Sequence, residues 1–416
     1  MIFLHTSDWH IGHTLYNARR HHEFADFFDW ILHFMRAHQV DVLLVAGDVF
    51  DTGTPGPHAQ KLYYDFLRRI HDTGCRHVVI IAGNHDSPTF LEAPAEILRL
   101  LSVHVIGQVR ENPADEVISL RTFDRRLEAL VCAIPFIRDR DVRRQEGGET
   151  LQEKELRLVQ GITAHVNAVC EAAFHIRQQQ KEQYIPVVAL AHMYVEGTQV
   201  ALDDDGTRPL YVGTLGGVPA SLFPQTLDYV ALGHMHRAQE VKSSHIRYSG
   251  SVLPMSFSDA QPKSCFLVSI DPQGTQVQKV EIPVCCRLVQ VRGPRPEIQA
   301  QLNALRHSHT NVFVDIVYTG EDSVGDWREW IQDILGPTTS HVEVLRFGSE
   351  RQIQLVMERA QDYETLEELN EHQVFERRMD CVDPPLSSDA REKLRFLYEE
   401  TLMWITNTQH QPEPEA

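Results

Sequence analysis

Five short polar motifs along this chain contain the residue types that bind divalent metal ions. In chain order they are Asp8-Trp9-His10, Gly47-Asp48-Val49-Phe50-Asp51, Gly83-Asn84-His85-Asp86, the single His192, and Gly233-His234-Met235-His236. Mixed imidazole, carboxylate and amide ligands favour Mn, Fe, Zn or Co over Mg, which prefers oxygen ligands alone. One such motif is an ordinary turn, but five with complementary ligand types predict a two-metal phosphoesterase site.

Residue spacing suggests how several of these groups are used. Asp48 is the natural candidate to bridge two metals, because a carboxylate has two oxygens. Asp8 and His10 are two residues apart, so in an extended segment both side chains point to one face. His234 and His236 have the same spacing and the same geometry.

The remaining polar groups have more than one interpretation. Asn84 can offer its amide oxygen to a metal, which leaves His85 and Asp86 in the same motif. A positioned histidine that is not a ligand can protonate a leaving alkoxide. Taken alone, His192 would more often be a hydrogen-bonded core residue than a ligand. Only the joint occurrence of the five motifs favours a metal site.

Each motif follows an apolar run that predicts a buried β-strand. These runs cover residues 2–5, 41–46, 77–82, 186–191 and 228–232, and a sixth such run covers residues 130–134. Helical patterns at 24–37, 62–71 and 90–101 separate the first three runs. This alternation predicts an α/β fold with a layered β-sheet core, in which ligands bind beyond the carboxyl ends of the strands. We therefore expect the motifs to converge on one edge of a sheet.

The motif order resembles that of the calcineurin-like metallophosphoesterase superfamily. Within it, the chain resembles the SbcD family, the nuclease subunits of bacterial SbcCD double-strand-break repair complexes. Three stretches carry this resemblance: L-H-T-S-D-W-H-I-G at 4–12, V-A-G-D-V-F-D-T-G at 45–53, and A-L-G-H-M-H-R-A at 231–238. The specific motifs extend from residue 1 to about residue 257, and the general organisation continues to the C-terminus.

The resemblance implies a role for each site residue. It assigns Asp8, His10 and His236 to one metal, Asn84, His192 and His234 to the other, Asp48 to the bridge, and catalysis to His85. The implied cofactor is a pair of divalent ions, with Mn²⁺ expected. Archaeal and eukaryotic relatives carry a second active-site histidine where this chain has Asp51. We expect Asp51 and Asp86 to support the site without binding metal.

The resemblance also implies a function. It predicts a DNA nuclease, acting as a 3′–5′ exonuclease on double strands and as an endonuclease on single strands and hairpins, in repair, recombination and replication. The chain has no G-x-x-x-x-G-K-[ST] motif, so ATP hydrolysis would come from an SbcC partner, in an assembly of two SbcC and two SbcD chains. The alternatives are a phosphatase or small-molecule phosphodiesterase, and a scaffold with a vestigial site, against which the complete ligand set argues.

The family forms homodimers through helices that correspond to residues 60–71 and 90–101 here. These segments carry apolar residues that we expect at the contact: Leu62, Tyr63, Phe66, Leu67, Phe90, Leu91, Ile97 and Leu98.

Three domains are predicted. Residues 1–283 form the phosphoesterase domain, with a long helix at 150–181 and a loop beside the site at 196–215. Residues 284–347 form a small two-layer α/β capping domain, and residues 348–416 form a helical partner-binding tail. Apolar residues repeat at helical spacing in the tail, at Leu394, Leu397, Tyr398, Leu402 and Ile405. Such a stripe either folds back on its own core or docks on a partner.

The net charge of −19 is unusual for a protein that binds DNA. Residues 350–416 hold 16 acidic and 7 basic residues, so much of the excess lies in the tail. Arginines near the predicted site are the candidates for DNA contact: Arg19, Arg20, Arg138, Arg140 and Arg237.

Composition predicts a globular protein of the cytoplasm. The sequence contains no run of about 18 apolar residues, so we expect no membrane span. We also expect no signal segment before the first strand. The seven cysteines are odd in number and match no zinc motif, so we expect them to be reduced.

Overall fold

The fold is described from a computed structural model. It describes residues 1–142, 150–180, 184–198, 217–308, 310–320, 326–336 and 341–350, together with residues 375, 379, 390, 391, 393–395, 397 and 398. The chain divides into two compact units, Met1–Gly348 and Ser349–Ala416.

The first unit contains most of the regular structure. Its strands are β1 (Ile2–Thr6), β2 (Thr14–Leu15), β3 (Ala18–Arg19), β4 (Val42–Ala46), β5 (His77–Ile81), β6 (Val103–Ile106), β7 (Val117–Arg121), β8 (Leu127–Ile134), β9 (Val187–His192), β10 (Tyr229–Gly233), β11 (Gln239–Val241), β12 (Ser243–Tyr248), β13 (Ser264–Asp271), β14 (Gly274–Glu281), β15 (Arg287–Gly293), β16 (Val312–Tyr318) and β17 (Val342–Ser349). Its α-helices are α1 (His21–Ala37), α2 (Pro57–Ile70), α3 (Pro88–Glu92), α4 (Ala95–Arg99), α5 (Asp139–Val142), α6 (Leu151–Gln178), α7 (Arg295–Arg306) and α8 (Trp327–Leu335). Short 3-10 helices lie at His71–Thr73, Pro113–Glu116 and Ala220–Leu222.

Two six-stranded sheets form the centre of this unit. The first has the order β14-β13-β1-β4-β5-β6, and the second has the order β11-β12-β10-β9-β8-β7. Their facing sides share one buried cluster, which includes Leu44 and Ile81 from the first sheet and Val131 and Leu190 from the second. Alternate strand residues face outwards, where α1 and α2 cover the first sheet and α6 covers the second. This layering explains why the strands are apolar on both faces.

The predicted strands are confirmed, but the expectation of a single sheet edge is wrong. Strands β1, β4 and β5 belong to the first sheet, and β9 and β10 belong to the second. The first sheet also contains β13, which pairs antiparallel with β1 and places Ser269 opposite Ile2. The sequence pattern could not separate the sheets, because a strand buried on both faces has the same composition in either one.

The helix predicted at 90–101 is interrupted. Helices α3 and α4 flank Pro94, which precedes the first residue of α4 and has no backbone N–H to continue a helix from α3. Most of the apolar residues expected at a dimer contact are core residues, since Tyr63, Phe66, Leu67, Leu91 and Leu98 are each at most 5% exposed. The expected contact is therefore corrected for these five residues, whereas Ile97, from the same predicted set, is 69% exposed. The large apolar side chains that this region exposes are Tyr64, Ile97, Leu100 and Leu101.

Residues 287–349 form a small α/β module with its own core. Its sheet has the order β15-β16-β17, and α7 and α8 pack on it through Ile298, Leu302 and Ile331. Asp315 is fully buried in this module and accepts two hydrogen bonds of 2.8 Å from Arg346. The Arg346 guanidinium also lies 5.2 Å from the ring centroid of Tyr16, in the β2–β3 hairpin. One arginine therefore connects the module to the segment that follows Asp8 and His10.

The second unit is described at few positions. The rings of Phe375 and Tyr398 stack with centroids 3.9 Å apart, and Leu394 and Leu397 are 39% and 56% exposed. Leu402 and Ile405, which complete the predicted stripe, lie outside the described residues, as does most of the loop predicted at 196–215. The six described cysteines are free thiols. No helix among the described residues has the length and apolar character needed to span a bilayer.

Candidate metal centre

The predicted ligands lie at or just beyond the carboxyl ends of five strands. Asp8 and His10 follow β1, Asp48 follows β4, and Asn84 follows β5. His192 is the last residue of β9, and His234 and His236 follow β10. The first two loops are joined by backbone hydrogen bonds from Asp8 N to Gly47 O and from His10 N to Asp48 O, each 3.0 Å long.

A first group of donor atoms comes from Asp8, His10 and His236. One atom of each lies within 4.8 Å of the others. The Nε2 atoms of His10 and His236 are 3.2 Å apart, and His10 Nε2 is 3.6 Å from Asp48 Oδ2. Imidazole nitrogens and carboxylate oxygens at such separations can share one cation.

A second group is formed by Asp48, Asn84, His192 and His234. The amide oxygen of Asn84 lies 3.0 Å from both His192 Nε2 and His234 Nδ1. Asp48 Oδ2 lies 3.4 Å from His192 Nε2, and the same oxygen lies 3.6 Å from His10 Nε2 in the first group. Asp48 therefore stands between the two groups, where its carboxylate can serve both.

A hydrogen bond fixes which nitrogen of His192 faces the centre, and a carboxylate lies near the outer nitrogen of His10. His192 Nδ1 donates to the Ala46 carbonyl at 2.8 Å, which leaves Nε2 free to bind a cation. His10 Nδ1 lies 3.4 Å from Asp51 Oδ1, and Asp51 also contacts His13 Nδ1 at 3.1 Å. A ligating imidazole typically has its other nitrogen held by a carbonyl or carboxylate. The residues present therefore fit a divalent metal pair.

The charges of the centre are strongly coupled. Burial opposes ionisation of Asp48, but His192 and His10 hold the pKa of this carboxyl well below its usual range. Burial likewise opposes protonation of His192, but Asp48 raises its pKa to about 9. Burial and the neighbouring His10 lower the pKa of His236, whereas burial raises that of Asp8. Without metal, a proton on His192 provides positive charge that balances Asp48.

Unusual backbone conformations support this arrangement. Four candidate ligands have positive φ angles: Asp8 at 50°, His10 at 47°, Asp48 at 48° and His234 at 102°. Each such residue costs roughly 1–2 kcal/mol relative to its preferred backbone region. Gly47 also has a positive φ of 83°, and a Cβ there would collide with the His192 ring. The surrounding fold must therefore hold this strained backbone in place.

The buried carboxylate of Asp86 contacts two of the loops that carry proposed ligands. It is 3% exposed, and its oxygens accept hydrogen bonds from Val49 N at 3.0 Å, Phe50 N at 2.9 Å and Gly83 N at 2.9 Å. One carboxylate thus connects the loop of Asp48 to the loop of Asn84.

His85 lies beside the donor groups with an exposed side chain. Its ring centroid is 4.8 Å from that of His10, and its Nδ1 is 3.0 Å from the Asp51 carbonyl oxygen. Its backbone N–H donates to Asp48 Oδ1 at 2.9 Å. With Nδ1 turned to the carbonyl, Nε2 is the atom left to exchange a proton with a substrate.

The candidate arginines differ in exposure. Arg19, Arg140 and Arg237 are exposed and Arg138 is half-buried. Arg20 is only 1% exposed, and it donates to both oxygens of Glu23 and to the Pro254 carbonyl. A side chain so enclosed cannot reach a DNA strand, so the expectation that Arg20 contacts DNA is corrected.

Two supporting groups were not predicted from the sequence. His13 contacts Asp51, and the Ser7 hydroxyl contacts Asp8 Oδ2 and lies 2.7 Å from Ser249 Oγ. Ser249 directly follows Tyr248, the last residue of β12, and this strand end is the signal for Ser249 in the sequence. Nothing in the sequence near Ser7 indicates a partner 242 residues away.

Comparison with known proteins identifies the class. Residues 1–238 match the model of the calcineurin-like phosphoesterase family. This match covers more than half of the chain, and the chain belongs to that family.

More detailed comparison identifies the group within that class. The chain is 34% identical to the SbcD subunit of the SbcCD nuclease of Escherichia coli strain K12, over 97% of this chain and 98% of that protein. It is 36% identical to the SbcD protein of Rhodobacter capsulatus, over 62% and 64% of the two chains, and 35% identical to that of Bacillus subtilis, over 65% and 67%. Residues 286–382 match the model described as the type 5 capsule protein repressor C-terminal domain. The chain therefore belongs with the SbcD subunits of SbcCD nucleases.

Proposed function

We propose that this chain is a metal-dependent DNA nuclease, the catalytic subunit of an SbcCD-type complex. The observation that carries the proposal is the pair of donor groups that share Asp48, in a chain similar along its length to nuclease subunits. The proposed activities are 3′–5′ exonuclease on double strands and endonuclease on single strands and hairpins, in DNA repair, recombination and replication in the cytoplasm.

In this proposal Asp8, His10 and His236 hold one divalent ion, and Asn84, His192 and His234 hold the other, with Asp48 shared. The contacts of Asp48 with both groups support this division. When bound, such ions neutralise charge on phosphoryl oxygens and activate a water. The nitrogen-containing ligand set favours Mn²⁺ over Mg²⁺.

His85 is the proposed general acid. Its Nδ1–H donates to the Asp51 carbonyl, so in the imidazolium form Nε2 carries the proton that the leaving alkoxide needs. Asp51 then has two roles, because its carbonyl orients His85 and its carboxylate faces His10. The Asp51 carboxylate is therefore not required to donate a proton to the leaving alkoxide.

Replacing His85 tests this assignment. We expect His85→Ala to lower the cleavage rate about 10²–10⁴-fold, the usual loss for a general acid, while the metal content is retained. The measurements are manganese-dependent cleavage of a DNA hairpin and metal analysis of the purified protein. His33→Ala, on the exposed face of α1, is the matched control. Loss of metal from His85→Ala as complete as from Asp48→Ala would show that His85 is a ligand instead.

The alternative is a phosphatase or small-molecule phosphodiesterase of the same superfamily. The donor groups by themselves suit either substrate. The α/β module at 287–349 contacts the β2–β3 hairpin through Arg346, and we propose that it caps the site. Such a cap favours a large polymer substrate. Efficient hydrolysis of a nucleotide monoester, with no cleavage of hairpin DNA, would favour the alternative.

The proposed domains are the nuclease domain at 1–283, the cap at 284–347 and a partner-binding tail at 348–416. We propose that the tail docks on an SbcC-type ATPase in an assembly of two chains of each kind. The exposure of Leu394 and Leu397 supports an interaction surface on the tail. Deleting 350–416 should abolish capture of SbcC in a pull-down and leave single-strand endonuclease activity intact. Full capture by the truncated chain would place the partner surface elsewhere.

A further inference from the structure

A polar cavity of about 120 Å³ lies beside the metal centre, and of the seven proposed ligands only His236 lines it. Three cationic side chains line it, from Arg237, Lys263 and Lys279, together with the hydroxyl residues Ser249 and Ser264. None of the described residues that line it carries a carboxylate. In a chain of net charge −19, such a lining is unusual and suits an anion.

The pairing of β13 with β14 brings two of these groups to one face. Ser264 pairs with Glu281, and Phe266, two residues further along β13, pairs with Lys279. Side chains at diagonal positions of an antiparallel pair share a face of the sheet. Ser264, Lys279 and Glu281 therefore share one face of the sheet, and of these three Ser264 and Lys279 line the cavity.

Ser264 supplies the observation that points to a ligand. Its side chain is 1% exposed, and among the described residues its Oγ has no hydrogen-bond partner. A buried hydroxyl without a partner loses its hydration without compensation, and native proteins rarely leave one so. An acceptor oxygen inside the cavity would satisfy it.

Lys263 fixes the inner wall of the cavity. It is 6% exposed, contacts the Asp259 carboxylate, and donates to the His236 carbonyl at 3.2 Å. Asp259 balances the charge of Lys263, so Arg237 and Lys279 supply the excess positive charge. Because His236 itself lines the cavity, a ligand there would lie against a proposed metal ligand.

We propose that this cavity binds a phosphate group. Its source is either a backbone phosphate of the DNA strand next to the scissile bond or the phosphate of a released nucleotide, since both present the same oxyanion. A DNA backbone phosphate as the ligand rests on the proposed nuclease function, whereas phosphate binding by the cavity does not.

The first experiment measures binding of inorganic phosphate to the metal-loaded full chain by calorimetry. We expect Ser264→Ala and Lys279→Gln each to weaken one class of phosphate site about tenfold, the effect of losing one charged or buried hydrogen bond. The matched controls are Ser269→Ala, further along β13, and Lys154→Gln, on the exposed face of α6. Phosphate binding that is identical in wild type and both variants would overturn the proposal.

The second experiment distinguishes the two sources with oligonucleotides that carry one neutral methylphosphonate at successive positions beside the cleavage site. If the cavity holds a strand phosphate, one position raises KM about tenfold for the wild type and has no such effect for Ser264→Ala. If every position is tolerated but phosphate inhibits the variants less than the wild type, the ligand is a released phosphate. A protein that cleaves no DNA but loses phosphate binding in both variants would refute the nuclease function and leave the cavity assignment standing.

Discussion

The carboxylate of Asp86 should be essential to the metal centre although it is not one of the proposed ligands. It accepts three backbone N–H groups, two from the loop after Asp48 and one from Gly83, just before Asn84. Asp86→Ala leaves all three buried donors without their acceptor, and each costs about 1–3 kcal/mol. We therefore expect the free energy of unfolding to fall by about 3 kcal/mol or more.

The same change should weaken metal binding, because it frees two ligand loops to move independently. Supporting residues of this kind typically contribute 10–100-fold to metal affinity, so we expect a loss of about that size. Asp86→Asn keeps the shape and one acceptor oxygen, and it should lie between wild type and alanine in both properties.

Urea unfolding of the metal-free protein and calorimetric titration with Mn²⁺ are the two measurements. Asp65→Ala is the control, since it removes the same charge from α2, where the Asp65 side chain is 44% exposed. If Asp86→Ala unfolded at the wild-type urea concentration and bound Mn²⁺ with wild-type affinity, the connection between the loops would have no energetic significance.

Two further predictions concern protons and oligomeric state. Because the pKa of His192 is raised to about 9, its ring is protonated at pH 7 without metal and must lose that proton to bind through Nε2. Metal binding should therefore release about one proton from this residue at pH 7 and weaken as the pH falls; binding heats that do not depend on the ionisation enthalpy of the buffer would contradict this. We also propose that the protein is a homodimer whose contact includes Leu100, which is 85% exposed, so Leu100→Glu should give the monomer mass in light scattering. Leu156→Glu, at a position 59% exposed on α6, should stay dimeric, and a wild-type protein that is already monomeric would refute the dimer.

The strands and the proposed ligands could be predicted from the sequence for a physical reason. Metal ligands at strand ends are local features, since an apolar run, a sharp turn and a polar side chain occupy fewer than ten residues. The structure brings all seven proposed ligands into the two donor groups. Asp86 was predicted only as a supporting group, because its three partners are backbone N–H groups, which leave no trace in side-chain identity.

Long-range features were less predictable. The insertion of β13 beside β1 depends on pairing between residues more than 260 positions apart. Arg20 looked like a surface arginine, although Glu23 three residues later was a readable sign of a local ion pair. Pro94 likewise indicated the break between α3 and α4. The burial of Tyr63, Phe66 and Leu67 follows from packing of α2 on α1, which the helical pattern alone does not distinguish from an exposed stripe.

The division of the site between two sheets has a consequence for how the protein is made. On the ribosome, Asp8 and Asp48 emerge early, but His234 and His236 follow almost two hundred residues later. Strand β1 lies between β4 and β13 and has no second neighbour until β13 has been synthesised. A nascent chain therefore has neither a complete donor set nor a finished first sheet until more than half of it has left the ribosome. The hydrolytic centre is thus a late product of synthesis, and an interrupted chain would be inactive because it lacks the second sheet's histidines.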